Sequence, residues 1–311
     1  MTDPGIATID RGTGSPVLLL HGQPGDGASW GRVTERLSSG HRVLAPDRPG
    51  YGATTLEATG MAANADLLAE LLRHRGATPA TVVGHSWSGG VAVLMAARHP
   101  DVVRSLVLAG AVGTPDSVNG LDRLLAAAGI GNALTVAGLA GMGIVLPRVR
   151  GGVAAAGRSL RRGVGRPVGG TGGPVGQPVP RHAGASVAGR LGRALQYLAA
   201  TLPDEVVPDG WAGARGRSRR TFVVEQRALM AELPTVTSLL RSVAVPVTVV
   251  VGAWDVVVPP SAARSLAQAI PGAALVRLPG VGHFLARDAP DRMVEVIEST
   301  DDRAPAGPGG E

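Results

Sequence analysis

Val82-Val83-Gly84-His85-Ser86-Trp87-Ser88-Gly89-Gly90 is the stretch on which the reading of this chain turns. It continues a short apolar run at Thr81–Val83, closed by Gly84, as a buried parallel strand should be. It then opens a helical pattern over Gly90–Arg98. A strand that passes straight into a helix has to turn sharply at Ser86, and the turn lifts the serine hydroxyl above the sheet. The residues two before and two after the serine must be small for the backbone to pack through such a turn. Here they are Gly84 and Ser88, so the pattern is G-x-S-x-S where G-x-S-x-G is the usual form.

The same alternation extends outward on both sides. Apolar runs at Val17–Leu20, Arg42–Ala45 and Ser105–Ala109 predict further buried strands, with helical patterns at Gly31–Leu37 and Met61–Arg73 between them. In the second helix Leu67, Leu68, Leu71 and Leu72 share one face, and Asp66, Glu70 and Arg73 take the other. After Pro246 the alternation resumes: strand Val247–Val251, helix Ser261–Ile270, strand Ala274–Leu278, helix Ala289–Ser299. This order predicts an α/β fold with a mostly parallel sheet and right-handed crossovers. The expected organisation is a core formed by residues 1–115 and 235–300, an inserted helical cap at 116–234, and a disordered polar tail at 301–311. Within the cap, apolar helical stretches at Leu121–Leu146, Val187–Leu202 and Thr221–Leu233 accompany a flexible Gly-, Pro- and Arg-rich loop at about 148–185.

Composition narrows the chemistry. Hydrophobic residues make up 44% of the 311 positions and charged residues 17%, so a large core can be buried and general disorder is excluded. The absence of cysteine excludes disulfides, thiolate metal sites and cysteine nucleophiles. All 30 basic residues are arginine, which also excludes P-loop and Schiff-base lysines. No zinc-hydrolase or glycine-rich nucleotide fingerprint is present, and neither a metal nor an organic cofactor is expected. The net charge of +6 is unevenly placed, with thirteen arginines and three acidic residues between Arg148 and Arg220. Such an insert would suit an anionic surface, yet it lacks the interleaved aromatics that stacking on single strands uses. A dedicated nucleic-acid partner is therefore not expected. Leu124–Leu146 is an uncharged run long enough to span a bilayer, but its glycines and its place within one predicted sheet read as cap, so membrane insertion is not expected. The N-terminus carries no secretory signal pattern, and a cytoplasmic location is the expectation.

Four further segments follow the sheet in order. They are Leu18-Leu19-Leu20-His21-Gly22-Gln23-Pro24, Ala45-Pro46-Asp47-Arg48-Pro49-Gly50-Tyr51-Gly52, Val249-Val250-Val251-Gly252-Ala253-Trp254-Asp255 with Val258-Pro259-Pro260, and Pro279-Gly280-Val281-Gly282-His283-Phe284. With the turn at Ser86 they resemble the α/β-hydrolase superfamily over about residues 5–115 and 240–299, while the insert matches only loosely. The resemblance implies a catalytic triad of Ser86, Asp255 and His283, in the family's chain order. It also implies an oxyanion hole formed by the backbone N–H groups of Gln23 and Trp87. The chemistry is coherent: serine needs a base that titrates near neutrality, and the imidazole needs a carboxylate to fix its tautomer. Asp116 stands as a rival acid, and His21, His41, His74, His85, His99 and His182 as rival bases. Among these His21 is expected to brace the oxyanion loop, and His85 to lie inside the turn on its far side. Asp47 and Arg48 read as a structural turn, and Trp30 as a core anchor. Trp87 and Trp254 are expected to wall an apolar pocket, with Trp254 and Phe284 contacting substrate.

The H-G-x-P loop, the R-P-G-Y-G turn and Trp87 also resemble epoxide hydrolases and haloalkane dehalogenases, which use an aspartate nucleophile. Serine at that position implies an acyl-enzyme instead. The expected function is therefore a serine hydrolase acting on a carboxylic ester or related acyl compound, a small-molecule and apolar substrate whose chain length the sequence leaves open. Thioester, lactone, carbon–carbon and perhydrolysis chemistry are variants, and epoxide hydrolase- or dehalogenase-like chemistry, or anion binding by the insert, are the alternatives.

Overall fold

The computed structural model describes residues 5–118, 122, 123, 126 and 217–305, all within one compact unit of the chain. Its centre is a seven-stranded sheet of β1 (Thr8–Arg11), β2 (Ser15–Leu20), β3 (His41–Pro46), β4 (Ala80–His85), β5 (Val103–Ala109), β6 (Val247–Gly252) and β7 (Ala274–Leu278). The strands lie in the order β1-β3-β2-β4-β5-β6-β7, parallel throughout except that β1 runs antiparallel to β3. The helices are α1 (Gly31–Leu37), α2 (Met61–His74), α3 (Ser88–Arg98), α4 (Arg217–Leu239), α5 (Pro260–Ala269), α6 (Leu285–Asp288) and α7 (Pro290–Asp301).

Strand periodicity sorts the core into two layers. Leu18, Leu20, Leu44, Val82, Leu106 and Leu108 face α2, α3, α4 and α5, where Leu68, Leu72, Val91, Met95 and Leu233 meet them. Val17, Leu19, Val43, Val83 and Val107 face the other way, onto Val33 and Leu37 of α1 and Met293 and Ile297 of α7. Both faces are buried, so these strands read as continuous apolar runs rather than alternating ones.

The order of the strands places the site. From β2 the chain goes outward to β3, then crosses back over β2 to β4. In open α/β sheets the crevice for a ligand forms where the direction reverses, at the carboxyl ends of the strands. Here that is the space between the ends of β2 and β4, which carry His21-Gly22-Gln23 and Ser86.

Three expectations need correcting. β1 was not foreseen, because Thr8-Ile9-Asp10-Arg11 is a polar edge strand; Asp10 is held there by two hydrogen bonds from Arg42 at 2.8 and 3.1 Å. The helix expected over Thr221–Leu233 runs from Arg217 through Pro234 to Leu239, because Leu233, Val236 and Leu240 are all buried and their packing outweighs the proline. It packs on α2 and α3, so this part of the expected cap belongs with the core. The polar tail begins later than residue 301: Asp301 closes α7 and is buried, accepting from Thr81 and pairing with Arg104 at 3.1 Å. Most of Leu121–Leu146, together with Val187–Leu202, the loop at 148–185, His182 and residues 306–311, lies outside the described residues. Among the described residues, no helix is long and apolar enough to cross a membrane.

Candidate active site

β4 ends at His85, and Ser86 follows with a φ of +54°, the one non-glycine residue with positive φ among the described residues. That conformation is strained for an L-residue and is the strand-to-helix turn expected from the sequence. The turn also explains its small flanking residues. A Cβ on Gly84 would stand 2.5 Å from the Ser88 carbonyl oxygen and 2.9 Å from the Ala92 Cβ. Ser88, the departure from the usual pattern, is fully buried and donates its hydroxyl to the His21 carbonyl at 2.5 Å, so this side chain ties the turn to the loop after β2.

The three candidate catalytic side chains come together from three separate strand ends. His283 Nε2 lies 3.0 Å from Ser86 Oγ, and His283 Nδ1 lies 2.8 Å from Asp255 Oδ2. The other oxygen of Asp255, Oδ1, accepts the backbone N–H groups of Val257 and Val258, both at 2.9 Å. All three residues are buried. A carboxylate that accepts at Nδ1 places the proton there and leaves the Nε2 lone pair facing the serine hydroxyl. Asp116, the rival acid, is exposed and accepts from Ser265 at 2.5 Å.

The candidate oxyanion donors flank the serine. Among the described residues neither the Gln23 nor the Trp87 backbone N–H has a hydrogen-bond partner. Trp87 is also the N-cap of α3, whose dipole favours negative charge at this end. The side chain of Gln23 donates to the Phe222 carbonyl at 2.9 Å, and the Trp87 indole N–H donates to the Glu225 carbonyl at 3.1 Å. Both residues are thus docked on α4.

His21 is buried and braces its loop as expected. Its Nε2 accepts the Arg48 backbone N–H at 3.0 Å, so its Nδ1 carries the proton and donates to the Gly22 carbonyl at 2.9 Å. Burial, reinforced by the Arg48 charge, pushes its pKa well below the usual histidine range. His85 was expected on the far side of the turn. Instead its ring lies 4.9 Å from that of His283 and donates through Nε2 to the His283 carbonyl at 2.9 Å. Burial, and next the neighbouring His283, push its pKa down to about 3.

A cavity of about 150 Å³ opens at Ser86. Gln23 and Trp87 line it beside Ser86, and Val112, Phe222, Leu229, Val257 and Val258 supply its apolar lining. Gln226 and Asp122, 3.4 Å apart, form a polar side. Trp254 and Phe284, expected as substrate contacts, do not line it. The turn after β6 tucks Asp255 inward and leaves Trp254 63% exposed, while Phe284 packs edge-on to the His283 ring under the Arg287 guanidinium. Asp47 is structural, accepting the N–H groups of Gly27 and Ala53, both at 2.8 Å.

Sequence reasoning missed what Arg48 does. Its side chain is fully buried, paired with the equally buried Glu225 of α4, and lies 4.5 Å from the Trp87 ring and 5.1 Å from that of Tyr51. Burial pushes the Glu225 carboxyl up, against the opposing pull of Arg48, and pushes the Tyr51 phenol well up. The one signal in the sequence was an acid set in an otherwise apolar helical stretch, Phe222-Val223-Val224-Glu225.

Comparison with known proteins agrees with this architecture. Residues 15–130 match the family described as alpha/beta hydrolase fold. The chain is 32% identical over 289 residues to an uncharacterized protein of Mycobacterium tuberculosis, covering 92% of this chain and 75% of that one. Over 122 residues it is 36% identical to a 2-hydroxymuconate semialdehyde hydrolase of Pseudomonas sp., covering 36% of this chain and 42% of the other. Among solved structures it is similar to a thermophilic esterase from Thermogutta terrifontis, with a TM-score of 0.61 and 23% identity over 94% of this chain and 92% of that one.

Proposed function

From the premise that the chain belongs to the α/β-hydrolase fold family and is a hydrolase, we propose that it is a serine hydrolase that cleaves short acyl esters through an acyl-enzyme. The observation that carries the reading is the unbroken line from Ser86 Oγ through His283 to Asp255, at 3.0 and 2.8 Å.

In this reading Ser86 Oγ attacks the ester carbonyl carbon while His283 Nε2 takes its proton. Asp255 stabilises the imidazolium that results. The carbonyl oxygen gains the negative charge between the N–H groups of Gln23 and Trp87. The tetrahedral intermediate then collapses, the C–O bond to the alcohol breaks, and His283 returns the proton to the departing alkoxide. Water repeats the sequence on the acyl-serine, releasing acid and restoring Ser86.

The size of the cavity supports a short acyl group: pockets for drug-sized ligands run from about 300 Å³ upward, and this one is about half that. Hydrolysis of a carbon–carbon bond is a second reading, favoured by the similarity to the 2-hydroxymuconate semialdehyde hydrolase. The test is labelling with a fluorophosphonate probe, wild type beside Ser86→Ala, followed by p-nitrophenyl esters of rising chain length. Labelling of the wild type alone, with acetate and propionate turned over fastest, is the expected result. A wild type that neither labels nor turns over any ester would sink the acyl-enzyme reading.

A further inference from the structure

Each candidate oxyanion N–H belongs to a peptide group whose carbonyl is gripped by two donors. The Ser86 carbonyl, in the peptide that carries the Trp87 N–H, accepts from the backbone of Gly89 at 2.9 Å and Val112 at 3.0 Å. The Gly22 carbonyl, in the peptide that carries the Gln23 N–H, accepts from two side chains: His21 Nδ1 at 2.9 Å and an Arg48 terminal nitrogen, also at 2.9 Å. A trans peptide is planar with its C=O and N–H opposed, so holding the oxygen fixes the direction in which the N–H points.

The Gly22 side of the pair is thus held by a charge. Arg48 Nε donates to the preceding carbonyl, that of His21, at 3.1 Å. Its remaining terminal nitrogen pairs with Glu225, whose second oxygen accepts the Tyr51 hydroxyl at 2.6 Å. A guanidinium presents its donors in a rigid fork, so one side chain fixes two successive carbonyls and an ion-pair partner at once. A charge-assisted hydrogen bond to a carbonyl also polarises that peptide and strengthens the N–H at its other end. Stability alone does not account for the arrangement, since a buried ion pair is often no better than apolar residues of the same volume.

We propose that Arg48 is a positioning residue of the oxyanion hole, aiming and polarising the Gln23 N–H through the Gly22 carbonyl, and that Glu225 holds Arg48 in that place. The inference rests on the serine hydrolase reading above. Helix α4 is then part of the catalytic frame, because Glu225 anchors Arg48 by its carboxylate and Trp87 by its backbone carbonyl.

The test compares the wild type with Arg48→Met/Glu225→Leu, which removes both charges and leaves no unpaired buried ion. Three quantities are read: melting temperature, kcat and KM for p-nitrophenyl acetate, and inhibition by a trifluoromethyl ketone, which forms a tetrahedral adduct. Losing an oxyanion donor outright costs about 10²–10³ in kcat, so a misaimed one is expected to cost about tenfold or more. Affinity for the ketone should fall by a similar factor while KM stays near that of the wild type. Should the double variant not fold, Arg48→Lys reads the same quantities, since it keeps a charge beside Glu225 but lacks the fork. A folded variant with wild-type kcat and wild-type ketone affinity overturns the inference. So does one whose KM rises in step with the lost ketone affinity, because that is a general change of packing. Failure of the wild type to react with the fluorophosphonate overturns instead the serine reading on which the inference stands.

Discussion

His85 donates its Nε2–H to the main-chain carbonyl of His283, so the residue that precedes Ser86 holds the loop carrying the imidazole that faces Ser86. A carbonyl can only accept, which fixes the tautomer of His85. The loop is therefore tied to the turn twice, by the His85 ring and by the Ser86 hydroxyl. With its pKa near 3, His85 is neutral at neutral pH and adds no charge beside His283.

His85→Leu removes that tie, and His85→Gln offers an amide N–H in its place. Small misplacement of a reacting group is costly, on the order of 10²-fold for 1 Å. The leucine variant is expected to lose about tenfold or more in kcat on p-nitrophenyl acetate, and the glutamine variant to recover most of it. Equal rates for the two would show that the hydrogen bond does not position His283.

The same histidine makes stability depend on pH. Its pKa is about 3 in the folded protein against 6.5 in the unfolded chain, so between those values the unfolded state binds more protons. Its contribution is complete above pH 6.5, declines as the pH falls, and is gone near pH 3. His21 is shifted in the same direction by burial. Urea unfolding followed from pH 7 to pH 4 should show a falling midpoint, and His85→Gln should flatten the decline.

Asp255→Asn keeps the shape of the site but changes what Nδ1 of His283 can donate to. In a triad this exchange lowers kcat by about 10⁴. Asp116→Asn changes an exposed residue bonded to Ser265 and is expected to leave kcat unchanged. Steady-state rates on one ester decide between them, and a reversed result would make Asp116 the acid.

Gly84→Ala places a methyl group 2.5 Å from the Ser88 carbonyl oxygen, which cannot yield without moving α3. Overpacking of this kind costs about 1–3 kcal/mol, read as a lower urea midpoint. A variant of undiminished stability would show that the turn has room to relax.

The legible parts of the fold were those written locally. β2 to β6 read as apolar runs because both faces of each are covered, β7 shows the alternation of a half-exposed edge strand, and the site segments sit directly at strand ends, where glycine and proline punctuate the chain. β1 was not legible because it is four residues long and three of them are polar, with only Ile9 packing on the core. The candidate triad was legible as three motifs in order, but its surroundings were not. Arg48 and Glu225 are 177 positions apart, and nothing near either names the other. Trp254 and Phe284 are large apolar residues beside motifs, yet sequence proximity does not decide which way a turn points a side chain. The two residues after Val256 face the cavity and Trp254 faces solvent.

β5 and β6 are neighbours in the sheet, with Leu106 opposite Val247, although about 140 positions separate them along the chain. The entropy of closing a loop grows only with the logarithm of its length, about 0.6 kcal/mol for each doubling. Once the sheet has met that cost, adding or removing tens of residues between the two strands changes it by a few tenths of a kcal/mol. What the connection must preserve lies at its ends: Val112, whose N–H donates to the Ser86 carbonyl, and α4, which returns to Arg48 and Trp87. The length of the connection is thus nearly neutral for the sheet, while the described residues at its two ends are fixed by what they meet there.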